Sequence, residues 1–138
     1  MKKIGVIDGQ GGGIGSAIIK KIKELYGETV EVVALGTNAI ATAQMLKAGA
    51  NRGASGENAI VQTTKSVDVI LGPLGIIVAH AMMGEVTPGI AEGVAGSPAA
   101  KLLLPLTQEN VTIVGVARLP MPHLIEELID MHLHNFIT

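Results

Sequence analysis

The first sixteen residues constrain this chain more than any other stretch. A short apolar run, Lys3 to Ile7, ends in a carboxylate, Asp8, and five glycines follow within seven positions: Gly9, Gly11, Gly12, Gly13 and Gly15. The hydrophobic period then changes to that of a helix. Ile14, Ala17, Ile18, Ile22 and Leu25 fall on one face, while Lys20, Lys23 and Glu24 lie off it. A buried strand that turns through glycines directly into a helix leaves unpaired N–H groups and the positive end of the helix dipole at the turn, which attracts anions. Glycines let that backbone come close to a pyrophosphate. Five in seven cost more backbone entropy than one turn requires. Asp8 through Gly15, including Gln10 and Ile14, is therefore the candidate site for a nucleotide or a small phosphorylated ligand.

The rest of the chain reads as alternating strands and helices. Gly27 stops the first helix. Val30 to Leu35 is a second, nearly all-apolar strand of the kind buried on both faces of a parallel sheet. Gly36-Thr37-Asn38 closes it, and Asn38 can cap a helix over Ala39 to Ala48. Asn51 to Gly56 is expected to be a polar loop, with Ser55 capping a short helix from Glu57 to Thr64. Val67 to Leu71 is a third strand, followed by Gly72-Pro73-Leu74-Gly75. Ile76 to Met83 is assigned to a helix, because a parallel strand needs a crossover. Thr87-Pro88 starts another helix, running to Ala95. Lys101 to Leu106 and Val111 to Val116 are two further strands, separated only by Thr107 to Asn110. So short a connection predicts an antiparallel hairpin, with Pro105 at an edge or strand end. Pro120 and Pro122 introduce a final helix on which Leu124, Ile125, Leu128, Ile129 and His132 share a face.

This order predicts an α/β fold: one Rossmann-like three-layer sandwich spanning 1–138, its sheet mostly parallel, of about five strands, with an antiparallel edge hairpin. The glycine turn has no second copy, so the chain holds one nucleotide-binding half at most. At the carboxyl edge of such a sheet, Thr37, Asn38 and Gly72 join the glycine turn as candidate ligand contacts. Arg52, Glu57 and Asn58 could close over a ligand from the polar loop, Arg52 being suited to phosphate. His80, among Ala79, Ala81 and Met82, reads as a packed residue. Glu85 favours the helix start at Thr87-Pro88 electrostatically.

Gly9-x-x-x-Gly13-Ile14-Gly15, followed by Ser16-Ala17-Ile18, resembles the glycine motif of short-chain dehydrogenases, Thr-Gly-x-x-x-Gly-Ile-Gly. That resemblance covers about the first 20 residues and implies NAD(P) or another nucleotide as cofactor. Three features depart from it. Asp8 stands where the family has threonine, and a carboxylate beside a phosphate is repulsive unless it caps glycine N–H groups or holds a cation. The second strand ends without the acid that takes a ribose 2′-OH. Tyr26 has no lysine four residues on, so the catalytic pair is missing. Over its whole length the chain resembles an uncharacterised family of small bacterial proteins, a domain of unknown function. Asp8 to Gly15, Gly36-Thr37-Asn38, Gly56 to Ile60, Gly72-Pro73 and Gly84 to Pro88 carry that likeness. It implies a Rossmann-like fold and no established activity.

Composition narrows the partners. Charged residues are 16% of the chain, below the ~25% of an average domain, which points to surface covered in a homo-oligomer. Net charge is −2, and Tyr26 and Phe136 are the only aromatics. A basic stripe and stacking platforms are both missing, which argues against nucleic acid. The absence of cysteine excludes thiolate chemistry. His132 and His134 point to different helix faces, and with His123 they make a poor metal set. No apolar run reaches the ~20 residues of a membrane span, and the four residues between Lys3 and Asp8 are too few for a signal sequence. The chain therefore reads as cytoplasmic.

No catalytic constellation emerges. If the chain is an enzyme, Asp8, Asn38, Glu57 and Glu85 are the polar groups to test first. Three readings follow: a nucleotide or phosphometabolite binder, a structural or regulatory homo-oligomer without a ligand, and an NAD(P)-dependent oxidoreductase.

Overall fold

A computed structural model describes residues 1–106 and 110–137. Five strands form one sheet in the order β3-β2-β1-β4-β5, every neighbouring pair parallel. They are β1 (Lys2–Asp8), β2 (Val30–Gly36), β3 (Arg52–Ser55), β4 (Val69–Pro73) and β5 (Ala100–Leu104). Helices α1 (Gly13–Tyr26), α2 (Ala39–Lys47), α3 (Glu57–Thr63) and α4 (Pro88–Ala95) make the crossovers. The chain ends in α5 (Met121–Glu127), a π-helical turn (Leu128–Leu133) and α6 (His134–Ile137).

Strand alternation divides the core in two. Ile4 and Val6 of β1, Val32 and Ala34 of β2, and Leu71 of β4 face α1, α2 and the C-terminal helix, packing on Ile18, Ile22, Met45 and Ile129. Ile7, Val33, Leu35 and Ile70 face the other way, onto Ile60 of α3 and Ile90 and Val94 of α4. The period of two along each strand thus builds a three-layer sandwich.

The expected helix starts hold. Asn38 Oδ1 accepts from Ala41 N–H (2.8 Å), and Thr87 Oγ1 accepts from Ile90 N–H (3.1 Å). Four expectations are corrected. The polar loop 51–56 contains β3, an edge strand paired only with β2. An edge strand with exposed residues needs no apolar pattern, which hid it. Its Ser55 does not cap α3; the hydroxyl donates to Thr42 Oγ1 (2.7 Å), and Gly56 stands at the cap. Ile76 to Met83 is not a helix. A 3₁₀ turn over Leu74–Ile77 gives way to turns in which His80, Met82 and Met83 adopt φ of 70°, 58° and 57°. The crossover helix is α4 instead. His80 is exposed there, not packed.

The antiparallel hairpin is absent. β5 pairs parallel with β4, and 111–116 forms no strand; the expected turn lies largely outside the described residues. Pro105 directly follows β5, consistent with a strand end. In the last helix the buried position is Leu133, while His132 is exposed. The π turn takes one residue more than an α turn, which moves the buried stripe along by one.

Candidate functional site

The carboxyl ends of β1, β2 and β4 bring three connections together: the glycine turn 9–12, residues 37–38, and the long loop 78–87 before α4. Asp8, the last residue of β1, is 4% exposed. Its Oδ1 accepts from Gly9 N–H (2.8 Å) and its Oδ2 from Gly15 N–H (2.7 Å). Gly12 is the N-cap residue of α1 and has no capping side chain. Asp8 therefore reaches from the strand to Gly15, the amide that a local cap would satisfy. Burial pushes the Asp8 carboxyl above its ordinary value, against the pull of the Gly15, Gly9 and Ile14 N–H groups, and the Glu85 charge pushes it the same way.

The glycines do different work. A Cβ at Gly9 would lie 2.6 Å from Met82 Sδ and 3.0 Å from Glu85 Oε1, and one at Gly15 would lie 2.5 Å from Met45 Sδ. Gly12 has φ 72°, and a Cβ there would meet the Ala41 carbonyl at 2.8 Å. These three are required by packing and backbone conformation. Gly11 and Gly13 are exposed, with nothing within 4 Å of where a Cβ would stand and no left-handed φ. Their amides meet no protein acceptor among the described residues. One turn on, Ser16 Oγ is buried without a hydrogen-bond partner.

Glu85 ties the three connections together. Its Oε1 accepts from Gln10 N–H (2.8 Å), Thr37 Oγ1–H (2.7 Å) and Asn38 Nδ2–H (2.8 Å). Burial raises its pKa, but these three donors outweigh it and hold the carboxyl below its ordinary value. Asn38 Nδ2 also donates to the Gln10 carbonyl (3.0 Å). Sequence reasoning named Glu85 for the helix start at Thr87-Pro88 and as a polar group to test, but did not bring it to this edge. The signal was topological: the β4–α4 connection opens on the same edge as Asp8 and Asn38. The helix wrongly assigned to Ile76 to Met83 hid it. The loop that carries Glu85 is strained, since a left-handed conformation costs a non-glycine residue about 1–2 kcal/mol.

The other candidates lie elsewhere or serve packing. Gly72 is buried within β4, where a Cβ would strike the Ile7 carbonyl. Arg52 starts β3, opposite Val33 and away from the carboxyl edge, and its NH2 pairs with Glu31 at 2.6 Å. Glu57 accepts from the Thr87 hydroxyl and so clasps the starts of α3 and α4. Tyr26 ends α1, far from the glycine turn, with its hydroxyl 3.5 Å from His134 Nδ1. Among the described residues no cluster of three His, Cys, Asp or Glu side chains could hold a metal ion. None of the described helices is long and apolar enough to cross a membrane.

A parallel sheet in this order, with a glycine-rich first turn at its carboxyl edge, defines a Rossmann-like α/β domain. The chain belongs to the family DUF3842, a domain of unknown function, whose model matches residues 3–137. It is similar to a solved structure titled as a dodecameric FMN-dependent UbiX-like decarboxylase from Escherichia coli O157:H7. The two share 14% identity with a TM-score of 0.47, over 99% of this chain and 94% of that one. No curated protein matches the chain.

Proposed function

We propose that this protein binds a nucleotide or another small phosphorylated metabolite at the carboxyl edge of its sheet. Asp8 through Gly15, Thr37 and Asn38 would form the contact surface. The observation that carries the reading is the bare pair Gly11 and Gly13. Packing and φ explain the other glycines of the turn, but nothing in the fold requires glycine at these two positions. A phosphate laid on the free amides at the start of α1 does require it, because a side chain would hold the ligand off the backbone. Asp8 does not compete for that outer face, because its oxygens are engaged with Gly9 and Gly15 from inside the turn.

Calorimetry and thermal shift against NAD, NADP, ATP, coenzyme A and sugar phosphates test this. A ligand at 100 times its Kd should stabilise the protein by about 2.7 kcal/mol. Gly13→Val should fold with an unchanged melting temperature, since its side chain meets open space, yet lose binding. Equal affinity in wild type and variant would place the ligand elsewhere, and no binding to any compound would sink the proposal.

A second reading has its own observation. Val111, Ile113, Val114, Val116, Leu119 and Met121 are exposed large apolar residues within eleven positions, and Arg118 is the one charged residue among them. Two copies of such a strip meet with little charge repulsion, so a second copy of this chain would cover it. Light scattering on wild type and Val114→Asp decides: the variant should shift towards monomer, and an unchanged mass would remove the strip from any interface.

A further inference from the structure

We infer that Gln10 N–H, the Thr37 hydroxyl and the Asn38 amide form a three-donor cradle for an anionic oxygen of a phosphate or carboxylate ligand, and that Glu85 fills this cradle as an internal stand-in which the ligand displaces. The inference rests on the phospholigand reading above and gives the bound group a second anchor beside Gly11 and Gly13.

Three donors from two different connections converge on a single oxygen, Glu85 Oε1, at 2.7–2.8 Å. That is a full complement for an anionic oxygen, and charge-assisted bonds of this length are the strong kind. The donors belong to the fixed part of the edge. Asn38 is held by Ala41 N–H as a helix cap, the Thr37 amide donates to the Asp8 carbonyl (3.0 Å), and Gln10 sits in the glycine turn. The acceptor belongs to the other part. Glu85 rides on a loop in which His80, Met82 and Met83 hold left-handed backbone, with Ala79, His80, Met83 and Gly84 exposed around them. Its neighbours Ala81 and Val86 are buried and fix the two ends of the turn. Backbone bonds from Glu85 N–H to the Met82 carbonyl and from Val86 N–H to the Ala81 carbonyl (both 3.1 Å) keep the turn in place, and the half-buried Glu85 side chain can rotate its carboxylate out without disturbing them. Glu85 Oε1 lies 3.0 Å and Met82 Sδ 2.6 Å from where a Cβ of Gly9 would be, so the loop covers the inner half of the glycine turn while Gly11 and Gly13 stay open. A ligand first seated on the open half meets Glu85 as a rival for the same donors. An incoming phosphate brings several acceptor oxygens to one cradle, where Glu85 brings one carboxylate.

The test is binding of inorganic phosphate, and of any phosphorylated compound that binds wild type, to Glu85→Ala and Glu85→Gln by calorimetry. Removing the stand-in frees the cradle, so Glu85→Ala should bind phosphate at least about tenfold tighter than wild type, as expected when the competent state is no longer a minor one. Glu85→Gln keeps the shape but loses the charge, and should fall between the two. Adding Thr37→Val to Glu85→Ala should remove the gain. Phosphate binding to Glu85→Ala that is absent, unchanged or weaker overturns the inference, and Glu85→Gln repeats the measurement should the alanine variant fail to fold. The two proposals fail separately. Gly13-dependent binding in wild type without a gain in the Glu85 variants leaves the site and removes the stand-in. A gain in those variants that is indifferent to Gly13→Val keeps the cradle and removes the glycine seat.

Discussion

The glycine turn and the 78–87 loop meet at one carboxylate oxygen, yet they are built in opposite ways. In the turn, glycine stands at one left-handed position, Gly12, and Gln10 at another with φ 48°, and Asp8 caps the helix from beneath through bonds within its own segment. In the loop, two methionines and a histidine are left-handed too, backbone bonds from Gly84 N–H to the His80 carbonyl (3.1 Å) and from Val86 N–H to the Ala81 carbonyl (3.1 Å) hold the turn, and the Glu85 side chain reaches across to the glycine turn. The first design is committed to one shape. The second meets the turn through one side-chain acceptor, which another acceptor can replace. Fixed donors facing a replaceable acceptor are the minimum for a site that changes on binding.

The largest effect should come from cutting the turn's own support. Asp8→Ala leaves the Gly9 and Gly15 amides without an acceptor, at about 1–3 kcal/mol for each buried donor. Urea denaturation should show that loss, and an unchanged midpoint would mean that the capping adds nothing. Gly12→Ala comes next, costing about 1–2 kcal/mol from its left-handed φ before any clash with Ala41 is counted. In the loop, Glu85→Gln should cost only about 1 kcal/mol, the difference between a charged and a neutral acceptor. Met83→Gly should run the other way. Met83 is 93% exposed at φ 57°, so glycine loses little packing. Relief of about 1–2 kcal/mol outweighs glycine's entropy cost of about 0.5–1 kcal/mol. A destabilised Met83→Gly would break the comparison.

The smallest effect is in pH. Asp8 titrates above its ordinary 3.8 when folded, so the folded state holds the extra proton and stability declines as pH rises through that window. Glu85 titrates below its ordinary 4.5, so its contribution is present above that value and is lost as pH falls through the folded pKa. Glu85→Gln should flatten the acid side of the stability curve, and Asp8→Asn the side above it.

Most of the fold was legible because buried parallel strands and capped helices carry local patterns. β1, β2 and α1 to α4 lie within about two residues of where periodicity and caps put them. β3 escaped because Arg52-Gly53-Ala54-Ser55 bonds to one neighbour at the edge and buries little. Val111 to Val116 misled because an apolar run carries a strand's composition whether or not it finds a partner. At the site, the alternative that Asp8 caps glycine amides could be written down from chemistry alone, since the groups lie within seven residues. The bond from Glu85 to Gln10 spans 75 residues, and no local pattern encodes such a distance.

Of the five strands of the sheet β1 is synthesised first, and it lies at the centre. One neighbour begins at Val30, but the other, β4, joins beside it across a separation of 65 residues, as the Lys3–Asp68 bond marks. While the chain is being made, the apolar flank of β1 must wait uncovered until β4 has followed it out of the ribosome. Closing that long loop is the slow step that sheet order imposes on folding. Until then an unpaired edge of Ile4, Val6 and Ile7 is open to the wrong partner.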